Sequence, residues 1–165
     1  MRYRIGSFST ILITLAALGC GRSALAFGYV INDADWATWP EYCKVKYTMT
    51  PIGRNTRGQY PAEARERWRR SIGPVWDGLH HYCVGMIYVH QAQGAAEPKA
   101  KQRYSYKAEH EIAYSYRGLG AGSPLFSTIS AYYALALHGV GKTETAMQVL
   151  DKAIQIQPES PESYV

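Results

Sequence analysis

The string His80-His81-Tyr82-Cys83, with a second cysteine at Cys43, holds the side chains best suited to chemistry in this chain. Imidazoles and thiolates bind zinc, and a cysteine pair carries redox chemistry. Each use meets an obstacle. Haem attachment needs C-x-x-C-H, which is absent. Neighbours on a helix point about 100° apart, so His80 and His81 do not readily share one ion. Zinc held by one histidine with Cys83 and Cys43 would need both sulfurs as thiolates, outside the reducing cytoplasm. A metal or redox protein using His80, His81 and Cys83 is therefore the minor reading.

Other chemical signatures are weaker still. No G-x-S-x-G occurs. Gly139-Val140-Gly141-Lys142-Thr143 ends like a phosphate loop, but the first glycine of G-x4-G-K-[ST] would fall on Ala136. Gly139 and Gly141 are expected instead to turn the chain between two helices. Glu109 and Glu111 are expected as surface carboxylates. The expectation is no enzyme, no catalytic residue, no metal and no cofactor.

Compartment decides how the cysteines are used. Residues 1–26 carry the marks of an export signal: Arg2 and Arg4, an apolar or small run over 8–19, then Ala24-Leu25-Ala26 as a cleavage site. The run is too short to span a membrane, which takes ~20 apolar residues. The mature chain is expected to begin at Phe27. Leu18-Gly19-Cys20 resembles the tail of a bacterial lipoprotein signal, so a lipid on Cys20 is the alternative and the expected route to a membrane. Both readings place the chain in the periplasm or at the cell surface, the second as an outer-membrane lipoprotein.

Removing Arg2, Arg4 and Arg22 from 18 basic residues leaves 15 against 13 acidic, so the net charge falls from +5 to +2. That modest charge on an exported chain argues against nucleic acid. Residues 44–70 hold eight basic residues against Glu63 and Glu66, whereas 142–165 hold two basic and four acidic ones. The basic stretch is a solvated helix face or meets an anionic partner.

Outside the cytoplasm, the even pair Cys43 and Cys83 predicts a disulfide. Cys83 shares an apolar helical stripe with Trp76, Leu79 and Met86, and Cys43 lies among Trp36, Trp39, Tyr42 and Val45. The bond would close a loop of about forty residues, worth ~3–4 kcal/mol, and requires Cα atoms within ~7 Å.

The elements that position these groups are helical. Asn32 to Asp35 offer N-caps for a short helix to about 47, interrupted at Pro40. Residues 49–60, with Pro51, Gly53, Asn55 and Gly58, read as loop. Helices are predicted over 61–72, 75–93, 98–119, 124–138 and 142–157, with Ser123-Pro124 as a cap and first turn. No strand is predicted.

The last of these helices follow a spacing: Tyr133-Ala134, Leu137, Gly141, Ala146, Leu150, Ala153 and Pro158. This resembles a tetratricopeptide (TPR) repeat over about 127–160. Ser130 stands where that family usually has Trp, and Tyr133 where it has Leu. Val84-Gly85, Tyr88, Ala108, Ile112 and Ser115 give a second, degenerate match over about 78–122, with eleven extra residues between its halves. The resemblance implies an all-α stack of antiparallel helix hairpins, a TPR-like α-solenoid. Residues 27–72 would pack on repeats over 73–165, and Pro161 to Val165 would open a further repeat cut off after one turn.

It also implies a concave groove that holds a protein or peptide segment, lined by Thr128, Ala131, Leu135 and His138, and in the degenerate repeat by Leu79, Tyr82, Met86 and Val89. Ala134, Leu137, Ala146, Leu150, Ala153 and Pro158 would serve packing between helices. The expected function is thus an interaction scaffold or adaptor of the bacterial envelope, in assembly, secretion or export. A glycan-binding envelope lipoprotein or export factor is the alternative, since 14 tyrosines offer apolar rings with polar tips. Rings lining the groove, with the basic segment facing it, would favour that alternative.

Overall fold

Asn32 opens the first helix of the computed structural model, which describes residues 29–164. The signal segment, Cys20 and Phe27 lie outside the described residues. The Asn32 side chain accepts a hydrogen bond from the Asp35 N–H at 2.8 Å, pairing a donor that every helix start leaves free. α1 (Asp33–Thr38) stops before Pro40, which disfavours helix in the residue before it. α2 (Glu41–Tyr47) follows at once.

α3 (Pro51–Arg57) corrects the loop expected over 49–60. Pro51 occupies the first helical turn, where its missing N–H does no harm. The Thr50 hydroxyl accepts from the Gly53 N–H at 3.0 Å. Gly53 is needed for fit: a Cβ there would collide with the Tyr47 carbonyl. Turn-forming composition has here been spent on a capped, tightly packed helix.

α4 (Ala62–Ile72) leads into a 3-10 turn at Gly73–Gly78, and α5 (Leu79–Gly94) begins after it. A single helix from 75 was expected. The Ser115 hydroxyl fixes the tighter turn by donating to the Gly78 carbonyl at 2.7 Å. The same oxygen accepts from the Tyr82 N–H at 2.9 Å.

α6 (Pro98–Arg117) runs back along α5. Tyr82 meets Ser115, Gly85 meets Ile112, and Val89 lines a recess with Ala108, so the two helices are antiparallel. α7 (Phe126–Gly139) and α8 (Thr143–Ile156) form a second antiparallel pair, with His138 beside Thr143 and Ser127 beside Gln157. α7 starts two residues later than the Ser123-Pro124 pair suggested. Its first turn is held from a distance by Gln157. That side chain accepts from the Ser127 N–H at 3.1 Å and donates to the Ser123 carbonyl at 3.0 Å.

α5 packs on α6, α6 on α7 and α7 on α8, while α5 also touches α7. A short 3-10 turn, Pro161–Tyr164, packs on α7 and α8. Every described element is helical, as expected at that level.

α5 is the centre of the core. Leu79, Tyr82, Cys83, Val84, Met86, Ile87 and Val89 are all buried, and so broad an apolar surface must be covered by neighbours on more than one side. α6 covers one flank with Ala108 and Ile112, and α2 contributes Cys43, Val45 and Tyr47. The Cys43–Cys83 disulfide joins α2 to α5 with a Cα separation of 5.6 Å, as the cysteine pair predicted. Trp39 Nε1 adds a hydrogen bond to the Cys83 carbonyl at 3.1 Å. A smaller cluster of Ala134, Leu137, Ala146 and Val149 joins α7 to α8. Among the described residues, no helix is long and apolar enough to cross a membrane.

Candidate functional site

The residues expected to line a groove fall into a closed set and an open set. Leu79, Tyr82, Met86 and Val89 are at most 5% exposed, so this part of the expected groove is not open to a partner. The physical reason is that other segments cover α5. α2 is tied to it through Cys43–Cys83, and the Tyr132 ring meets Tyr82 edge-on at 5.7 Å. Burial raises the Tyr82 phenol well above its ordinary pKa and keeps it neutral. Further along the helix, Tyr29 packs edge-on against Tyr88 at 5.8 Å.

On α7, Ala131 is buried and Thr128 half-buried, but Leu135 and His138 are exposed. These two form a ridge between two recesses. The larger, about 310 Å³, lies between α7 and α8 and is lined by Ala134, Leu135, His138, Thr143, Ala146, Met147 and Leu150. The smaller, about 150 Å³, lies on the other side of the ridge, where Val89, Ala92, Lys101, Ser105 and Ala108 meet Leu135 and His138.

Of the residues expected to pack the helices together, Ala134, Leu137, Ala146 and Ala153 are buried. Leu150 is half-buried in the wall of the larger recess, and Pro158 is exposed in the turn after α8. The small side chains Ala134 and Ala146 let α7 and α8 approach at the floor.

The residue that sequence reasoning missed is Met147, 60% exposed on the rim. Sequence placed it on a helix next to the packing residue Ala146, but not on a rim. A flexible, polarizable thioether fits varied apolar partners. The polar groups at the recesses are few: His138 Nδ1 lies 3.2 Å from the Thr143 hydroxyl, and Lys101 edges the smaller recess. No Phe, Tyr or Trp ring lines either recess. The basic segment packs elsewhere, with α4 on α2 and on the Gly73–Gly78 turn. The conditions that would favour a glycan in this groove are thus not found here.

The histidine pair sits away from the recesses. The rings of His80 and His81 lie 4.3 Å apart, and His81 also packs on Tyr114 at 4.2 Å. His81 Nδ1 is 2.7 Å from Glu111 Oε2. Neither ring is exposed, and α6 supplies Glu111 and Tyr114 to hold His81. Glu111 is accordingly not a free surface carboxylate, and Glu109 pairs with Lys142 at 3.2 Å. Cys83 is a disulfide sulfur, not a thiolate ligand for the pair. Among the described residues, no group of three or more His, Cys, Asp or Glu is placed to hold a metal ion.

Burial, helped by the nearby His81 and Lys46, lowers the His80 pKa to about 4. The unfolded ring titrates near ~6.5, so the unfolded chain binds more protons between these values. Stability carried by neutral His80 is therefore complete above ~6.5 and is lost as pH falls toward 4. Solvent that reaches the ring screens the effect to about 1–2 kcal/mol. Denaturant melts from pH 7 to 4 should show this slope, and His80→Gln should flatten it. An unchanged slope in that variant would assign the loss to other groups.

No family model matches this chain, and no curated protein or solved structure matches it.

Proposed function

We propose that the chain is an exported, TPR-like helical scaffold that holds a segment of a partner protein in the α7–α8 recess. The observation that carries this reading is the contrast between two apolar faces. The α5 face at Leu79, Tyr82 and Met86 is filled by the chain itself, whereas the recess at Leu135, His138 and Met147 is open. An open apolar recess with a few polar groups suits one or two apolar anchors from a helix or extended segment. The order of neighbours supports the stacking: each hairpin packs within itself, α6 packs on α7, and α5 reaches α7 directly. Stacked hairpins of this type bury their faces against one another and leave an extended surface for binding.

The disulfide supports export, since such bonds persist in oxidising compartments. On this reading 1–26 is a removed signal, 27–72 packs on the repeats, and 73–165 forms them. The periplasm or cell surface is the place of action, with Cys20 as the lipid site if the chain is anchored. Binding, not catalysis, is the role.

Leu135→Asp with Met147→Asp tests it. Both side chains are exposed, so the helical circular dichroism should stay as in the parent. Proteins captured from envelope extract by the immobilised parent should be lost or bound about 30-fold more weakly, as for removal of an interface anchor worth ~2 kcal/mol. An identical captured set at unchanged affinity would contradict the recess as the binding site.

A further inference from the structure

The N-terminal half of α6 carries charge of one sign. Lys99, Lys101, Arg103 and Lys107 fall between Pro98 and Ala108 with no acidic residue among them. All four are exposed, and none takes part in an ion pair among the described residues. Helix stability does not ask for them. A helix start favours carboxylates, because the macrodipole is positive there. Like charges at i,i+4, such as Lys99 with Arg103 and Arg103 with Lys107, repel. The spacing sets three cations along one ridge, about 6 Å apart.

Aromatic rings lie under that ridge. Tyr88 and Tyr104 are near-parallel, at 20° with centroids 6.4 Å apart. The Arg103 guanidinium stands 5.2 Å from the Tyr104 ring and the Lys107 ammonium 5.1 Å from the Tyr88 ring. Cation–π attraction holds both charges over the rings. Beside Tyr104 opens a shallow depression of about 520 Å³, with Ala95, Ala96 and Ala100 as small apolar walls and Gln91 and Glu97 as hydrogen-bonding groups.

We propose that this ridge and depression bind a linear acidic polysaccharide. Carboxylates or sulfates repeated along such a chain meet the repeated cations. A sugar packs against the part of Tyr104 that lines the depression, and its hydroxyls reach Gln91 and Glu97. An acidic peptide would need no ring beside the charges. A membrane surface would need apolar side chains to insert, and the exposed ring on this stretch, Tyr106, has a polar tip. Arg103 and Lys107 do not line the Leu135–Met147 recesses, so the site stands or falls independently of the partner groove.

The test uses the mature chain and an oligogalacturonate probe in calorimetric titration. Dextran serves as the neutral control, and phosphatidylglycerol–phosphatidylcholine vesicles as the membrane control. Galacturonate should bind, dextran should not, and vesicles should neither bind nor compete. Arg103→Ala with Lys107→Ala should weaken binding about tenfold. Tyr104→Ala, which keeps the charges, should weaken it several-fold. Three results would overturn the proposal: vesicles binding in place of the glycan, dextran binding equally, or Tyr104→Ala leaving affinity unchanged. The last would mean adhesion of any polyanion to a charged helix. The substituted side chains are on the surface, and circular dichroism checks that each variant is folded.

Discussion

Replacing Cys43 and Cys83 together by alanine will lower the free energy of unfolding by about 2–5 kcal/mol. The bond links residues 40 apart in sequence, so its loss frees a long loop in the unfolded chain. It is also the covalent tie between α5 and the short helices before it. α1, α2 and α3 have six or seven residues each, and helices of that length do not hold themselves in water. Hydrogen exchange should therefore show α1 to α3 losing protection first, with α7 and α8 retaining theirs. Both sulfurs are at most 1% exposed, so reductant should act on the native protein slowly and only as this segment opens. A double variant as stable as the parent, with unchanged protection over 33–57, would contradict the role given to the bond.

Gly85→Ala will destabilise the α5–α6 hairpin by about 2–3 kcal/mol, an overpacking effect. A Cβ at this position would overlap Ile112 Cγ1, and would lie 3.1 Å from Ile112 Cδ1 and 3.3 Å from the Ile112 backbone nitrogen. The backbone atom cannot step aside unless the helices separate. Ile112 is fully buried, so Ile112→Ala alone should cost ~2–5 kcal/mol through the cavity it leaves. In the double variant the new methyl partly fills that space. The two losses should then fall short of their sum by ~1 kcal/mol or more in denaturant melts. Strict additivity would mean that Gly85 and Ile112 do not share this contact.

Much of the fold was legible. Pro98 and the small-residue loop before it mark the turn from α5 to α6, and Gly139 to Gly141 mark that from α7 to α8. Cysteine parity, with the export signal expected in residues 1–26, named the disulfide. What escaped has common causes. α3 was hidden because Pro51 and Gly53, turn residues by composition, here serve as a first-turn proline and a close-contact glycine. The covering of Leu79, Tyr82, Met86 and Val89 was hidden because spacing along one helix says which residues share a face, not what lies over it. A clue was present: Val84 and Ile87 add apolar side chains on further faces of α5, so most of the helix needs covering. The Gln157 cap on α7 joins residues about thirty apart in sequence, beyond the reach of local pattern. Met147 was legible as a helix residue but not as a rim.

The most direct test is photocrosslinking from the groove in cells. A benzoylphenylalanine placed at Met147, on the rim of the larger recess, should form a specific adduct with one or a few envelope proteins. The same probe at Gln148 or Asp151, exposed positions of α8 that do not line the recess, should not. Adduct from 147 alone, abolished by Leu135→Asp, is the predicted result. No adduct at 147, or the same adduct from 148 and 151, would contradict a partner seated in the α7–α8 recess.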